Sequence, residues 1–90
     1  GIQQSFEVSQ NYPNPFNSRT KIGFIISEAG LIRIRLLNIL GEIIRTIRAE
    51  VMQPGEYSID LDLTEHPSGV YFYQIQSTSK SITRKLSFLK

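Results

Sequence analysis

The chain of 90 residues contains no cysteine and no tryptophan, and one histidine. Without cysteine there is no disulfide to staple a small core and no thiolate to bind a metal. The one histidine, His66, lies beside Glu65 and before Pro67. It cannot supply the usual multi-histidine metal set. No spacing joins it to a serine and a buried acid as a catalytic triad requires. Charge of one sign is also scarce: ten lysines and arginines against eight acids leave a formal net charge of +2. That balance is too weak to imply nucleic acid or a membrane surface as partner. No apolar run approaches the roughly 20 residues that cross a bilayer. No signal peptide opens at Gly1, so an exported form is expected to be a piece of a longer precursor. No glycine-rich phosphate loop follows an apolar run, and no Asn-x-Ser/Thr acceptor occurs. Neither a metal nor a cofactor is expected.

What is present begins with Asn11-Tyr12-Pro13-Asn14-Pro15-Phe16-Asn17, which gathers two of the four prolines in seven residues. Each proline fixes φ near about −65° and removes a donor, and each pushes the preceding residue toward extended geometry. The segment therefore reads as a stiff strap without helix or regular ladder. Tyr12 and Phe16 are its expected apolar anchors, and Asn11, Asn14 and Asn17 its turn formers. Proline at a sheet edge also blocks unwanted pairing.

The rest of the chain alternates in twos. Phe6 and Val8 form a short first strand. Ile22, Phe24 and Ile26 mark a half-buried strand over Thr20–Ser27. After the turn Glu28-Ala29-Gly30, Ile32, Ile34 and Leu36 face one way and Arg33 and Arg35 the other. The apolar parity then slips at Leu37 and Ile39, which predicts a bulge or bend near Leu36–Leu37. Gly41 serves a tight connection that needs φ > 0. Ile43, Ile44, Ile47 and Val51 fit a helical period, but their β-branching and flanking turns favour a strand. Pro54 and Gly55 suit the centre of a type II turn. Tyr57, Ile59 and Leu61 alternate with Ser58, Asp60 and Asp62. A loop, with at most one helical turn, covers Leu63–Gly69. Val70–Ile75 carries apolar side chains on both faces, the mark of an interior strand. Ser77–Ser81 is a turn, and Ile82–Leu89 the last strand. Seven short strands separated by turn signals predict an all-β fold, an antiparallel immunoglobulin-like β-sandwich. One domain is expected over residues 1–90, with 1–8 a linker to an upstream domain.

Three surface groups are weighed for chemistry. Asp60 and Asp62 share a strand face and could hold calcium or act as acid and base, but no dense oxygen-ligand loop accompanies them. They read more simply as the wet face of an edge strand, opposite Arg33 or Arg35. Tyr57, Tyr71, Phe72 and Tyr73 could stack on a sugar, yet alternation already turns most of them inward. Arg33, Arg35, Arg45 and Arg48 could make a modest basic face, but they lack interleaved exposed aromatics, so nucleic-acid binding is only weakly supported.

The order of motifs is more specific than any one of them. Asn11-Tyr12-Pro13-Asn14-Pro15-Phe16-Asn17 is followed by Ile34-Arg35-Leu36-Leu37-Asn38-Ile39-Leu40-Gly41 and Pro54-Gly55-Glu56-Tyr57. Then come Ser68-Gly69-Val70-Tyr71-Phe72-Tyr73 and Arg84-Lys85-Leu86-Ser87-Phe88-Leu89-Lys90. In this order they resemble the type A C-terminal sorting domains of type IX secretion cargo, found in the Bacteroidetes and related bacteria. The resemblance covers about residues 9–90. It implies a sandwich at the end of a cargo protein that crosses the inner membrane by its own signal. The outer-membrane translocon then recognises the domain. In many members a sortase-like protease removes it, and the cargo is released or attached at the surface. By motif match it assigns signal roles to Pro13, Asn14, Pro15, Phe16, Asn17, Gly41, Gly69, Val70, Tyr71, Lys85 and Lys90. Leu37 departs from the tyrosine common at that place in the family.

Two readings remain at this stage. One is a non-catalytic sorting module that binds the translocon, with no nucleic acid and no membrane insertion. The other is a carbohydrate-binding or spacer sandwich of an extracellular enzyme. The sorting reading includes a docking edge: the last strand offers backbone groups for β-augmentation, which Ser87→Pro would weaken.

Overall fold

The structure, a computed structural model, describes residues 6–90. Seven strands follow in order: β1 Phe6–Val8, β2 Arg19–Ile26, β3 Gly30–Leu37, β4 Ile43–Met52, β5 Gly55–Asp62, β6 Gly69–Gln76 and β7 Ser81–Phe88. They form two antiparallel sheets, β1-β2-β5 and β4-β3-β6-β7, that pack as a sandwich. The expected seven-stranded antiparallel sandwich is borne out.

The core lies between the sheets and follows the alternation. β2 contributes Ile22, Phe24 and Ile26, and β5 contributes Ile59 and Leu61. Ile32, Ile34 and Leu36 of β3 meet them from the other side, with Tyr71, Tyr73 and Ile75 of β6 and Leu86 and Phe88 of β7. Each aliphatic or aromatic side chain fully buried in this way stabilises the fold by about 1.5–3 kcal/mol. β6 is interior, as expected, between β3 and β7, but its outward Val70 is exposed and Phe72 is half-buried. The rings of Phe24 and Tyr57, paired across β2 and β5, stack at 5.5 Å.

The irregularity expected near Leu36–Leu37 is present, but the extra residues belong to the neighbour. β3 pairs Ile34 with Arg48, Arg35 with Thr46, Leu36 with Arg45 and Leu37 with Ile43. Ile47 and Ile44 fall between those partners. Each extra residue shifts the alternation by one, so Ile44 and Ile47 both pack against the core despite an odd spacing. The same shifts account for the helix-like period of β4, which is a strand. β3 itself ends at Leu37, so Ile39 lies in a turn and not on a strand face.

Two further expectations are corrected. Gly55 is already in β5, paired with Ile26, and its φ of 159° is far from the value of about +80° that a type II turn needs. Gln53-Pro54 carries the chain from one sheet to the other instead. Asp60 and Asp62 face Lys21 and Arg19 of β2, not Arg33 or Arg35, which are in the other sheet. The ion pairs are Lys21 with Asp60 at 3.8 Å and Arg19 with Asp62 at 3.3 Å. Between Leu63 and Gly69 the chain makes a turn closed by the His66 N–H on the Leu63 carbonyl, with no helix.

Candidate recognition site at one end of the sandwich

The strap crosses from one sheet to the other. Near its start, Tyr12 exchanges both backbone hydrogen bonds with Lys21 of β2, at 2.9 and 3.0 Å. Near its end, the Phe16 N–H donates to the Ser87 carbonyl at 3.1 Å, and the Leu89 N–H donates to the Phe16 carbonyl at 2.8 Å. Phe16 thus runs parallel to the end of β7. Its ring is buried 5.2 Å from that of Phe88. The Asn14 side-chain oxygen accepts the Ser87 N–H at 2.9 Å. The free edge of β7 is therefore already occupied at Ser87, and Ser87→Pro would unhook the strap rather than probe an outside partner.

Phe16 is the anchor expected, but Tyr12 is not: it is 81% exposed. Tyr12 pairs with Lys21, which points outward, and paired residues share a face. The inward place falls to Asn11, which is buried. Asn11 donates its backbone N–H to the Tyr73 hydroxyl at 2.9 Å. Its amide nitrogen donates to the Pro13 carbonyl at 3.1 Å and to the Thr20 hydroxyl at 3.0 Å. The Thr20 hydroxyl donates to the Pro13 carbonyl at 2.8 Å, and the Tyr73 hydroxyl to the Ser9 carbonyl at 2.7 Å. The peptide bonds before Pro13 and Pro15 are both cis. Desolvation raises the Tyr73 phenol above its ordinary range, against the lowering effects of its Asn11 bond and nearby Arg84.

The other assigned residues gather at the same end. Gly41 closes the β3–β4 hairpin with φ of 81°, and its N–H donates to the Asn38 carbonyl at 3.0 Å. Asn38 holds that hairpin: its side-chain oxygen accepts the N–H groups of Leu40 and Glu42, and its amide donates to the Glu42 carboxylate. Gly69 opens β6 with φ of 154° and pairs with Phe88, so Gly69, Phe88 and Phe16 stand side by side. Tyr71 is buried, its hydroxyl donating to the Pro67 carbonyl at 2.6 Å and its ring meeting the edge of His66. The Lys90 N–H donates to the Ser68 hydroxyl at 2.9 Å. Lys85, three residues before the end of β7, pairs with Phe72 and points to solvent.

The structure thus splits the assigned residues in two. Phe16 and Tyr71 are buried, and Asn14, Gly41 and Gly69 shape backbone. Pro13, Pro15, Asn17, Val70, Lys85 and Lys90 are exposed. Sequence reasoning missed the central places of Asn38 and of the Tyr73 hydroxyl. Asn38 had a signal, since asparagine three residues before a glycine favours a type I turn. The Tyr73 hydroxyl had none, because its partners lie more than 60 residues away in the chain.

Asp62 is held below the usual carboxylate range by the side chain and backbone N–H of Thr64, with a smaller contribution from Arg19. Among the described residues no three His, Asp or Glu side chains come together to hold a metal ion. What the geometry offers is a shaped surface built from the strap, a hairpin tip, the start of β6 and the end of β7.

The sandwich thus joins an early strap to the end of its last strand. The family model for secretion system C-terminal sorting domains matches residues 10–88, and the chain belongs to that family. It is a sorting signal for type IX secretion, whose cargo reaches the cell surface or the medium through the periplasm. No curated protein matches the chain.

Proposed function

We propose that this domain acts as one folded, non-catalytic address at the C-terminal side of a cargo domain. The outer-membrane translocon reads it, and a sortase-like protease then separates it from the cargo. The supporting observation is the lock between Asn14–Phe16 and Ser87–Leu89. It brings residues from opposite ends of the sequence onto one surface, which exists only in the folded chain. A rigid surface of this kind loses little freedom on binding. Gly69, Val70, Lys85 and Lys90 surround the lock and are the proposed reading points, while Gly41 holds the adjacent hairpin.

The test is export of a fluorescent reporter that carries a Sec signal and residues 1–90 in a bacterium with a type IX system. Removing Arg84–Lys90 would be a poor control, because it deletes buried Leu86 and Phe88. Lys85→Ala and Lys90→Ala alter exposed positions and leave the core alone. Reporter in the medium or on the surface, with less of it for the two variants, supports the reading. A folded domain that leaves the reporter in the periplasm refutes it.

A further inference from the structure

The outer face of the four-stranded sheet has an unusual composition, and we propose that it docks a protein surface with an apolar centre and carboxylates at its rim. The register places Ile43, Leu37, Phe72 and Lys85 in one row across all four strands. The next row inward holds Thr46, Arg35, Gln74 and Thr83. Ile43 is 55% exposed, and Ile39 and Leu40 on the adjoining hairpin tip are 70% and 78% exposed. An apolar row that crosses a sheet's solvent face, continuous with an apolar turn, marks an interaction surface.

Charge says what kind of protein covers it. Arg33, Arg35 and Lys85 point from this face, and no acid shares their rows. Glu42 at the hairpin tip adjoins Ile43, and its carboxylate takes the Asn38 amide. The opposite sheet differs: its outer face carries Glu7, Glu56, Asp60 and Asp62 beside Arg19 and Lys21. On that face Asp60 and Asp62 pair with Lys21 and Arg19, while no ion pair engages Arg33, Arg35 or Lys85 among the described residues. Unpaired cations around an apolar row fit a partner that brings carboxylates to them, which fixes orientation and speeds encounter.

The inference rests on the sorting reading and names the face by which the export machinery holds the domain. The experiment uses the same reporter with three changes: Ile43→Thr with Phe72→Thr, Arg33→Glu with Arg35→Glu, and Glu56→Lys on the opposite sheet. Circular dichroism of each purified domain checks the fold. Export is expected to fall about tenfold or more for the first two, the scale of losing a binding hot spot, and to hold for Glu56→Lys. Wild-type export with equal export of all folded variants overturns the docking face and leaves the sorting reading standing. No export of the wild-type reporter overturns both. Sedimentation of the purified domain and flotation with lipopolysaccharide vesicles address other occupants. A dimer, or vesicle binding, that the same variants abolish would assign the face elsewhere and overturn the proposal.

Discussion

The Asn14 side chain accepts the Ser87 backbone N–H at 2.9 Å across 73 residues of sequence. That bond, with the Phe16 pairing beside it, ends the free edge of β7 and closes one end of the sandwich. An edge strand left open is a template for other chains. Here the chain's own strap occupies its end at Ser87–Leu89.

The strap is anchored chiefly by Phe16. Its ring is buried against Phe88, so Phe16→Ala should cost about 3–5 kcal/mol, a large share of a small domain's stability. Tyr12→Ala, at an exposed ring, should change stability by no more than about 0.5 kcal/mol. Urea unfolding of both variants checks the contrast, and equal losses would show that the strap is held some other way.

Tyr73→Phe removes the donor to Ser9 and leaves the Asn11 N–H without its acceptor. The expected loss is about 1–3 kcal/mol, the penalty for an unsatisfied buried donor. Hydrogen exchange should localise that loss at Asn11 and along the strap, while the strands keep their protection.

Burial raises the Tyr73 phenol, so the folded state favours the protonated form. Its contribution is fully present below the ordinary value of 10.0 and is lost as pH rises through the raised folded value. Melting temperature should therefore fall above that pH, and fall less in Tyr73→Phe. Asp62 has the opposite sign: its depressed pKa contributes above 3.8 and is lost as pH falls through the folded value. The acid effect should be small, since this carboxylate is exposed, and Thr64→Ala should reduce it.

Gly41 has φ of 81°, where a Cβ meets no neighbour but crowds its own backbone. Gly41→Ala should cost about 1–2 kcal/mol from backbone strain alone. Gly41→Asn should recover part of it, because asparagine tolerates this region better. Thermal melts of the two variants give the comparison.

Much of the fold was legible because alternation is a local signal. Ile22-Phe24-Ile26 and Tyr71-Tyr73-Ile75 show their buried faces in the sequence itself. The bulges of β4 were not legible in the right strand, since the slip at Leu37 and the odd spacing of Ile44 and Ile47 are two sides of one register. Tyr12 misled because its size suggested burial, whereas its pairing with Lys21 set its direction. Motif order assigned roles to residues scattered along the chain. Their assembly at one end was not legible, because it depends on a parallel contact between Phe16 and Phe88 that no local pattern announces.

The most direct test loosens the strap's end on β7 and leaves the buried Phe16 ring in place. Asn14→Ala removes the acceptor for Ser87, and Leu89→Pro removes the donor to Phe16. The double variant should keep its circular dichroism spectrum while the Ser87 amide exchanges faster. If the folded lock is the address, the variant's reporter should stay in the periplasm while the parent's is exported. Export at the parent's level by the folded variant, with its Ser87 amide exchanging faster, would contradict the account.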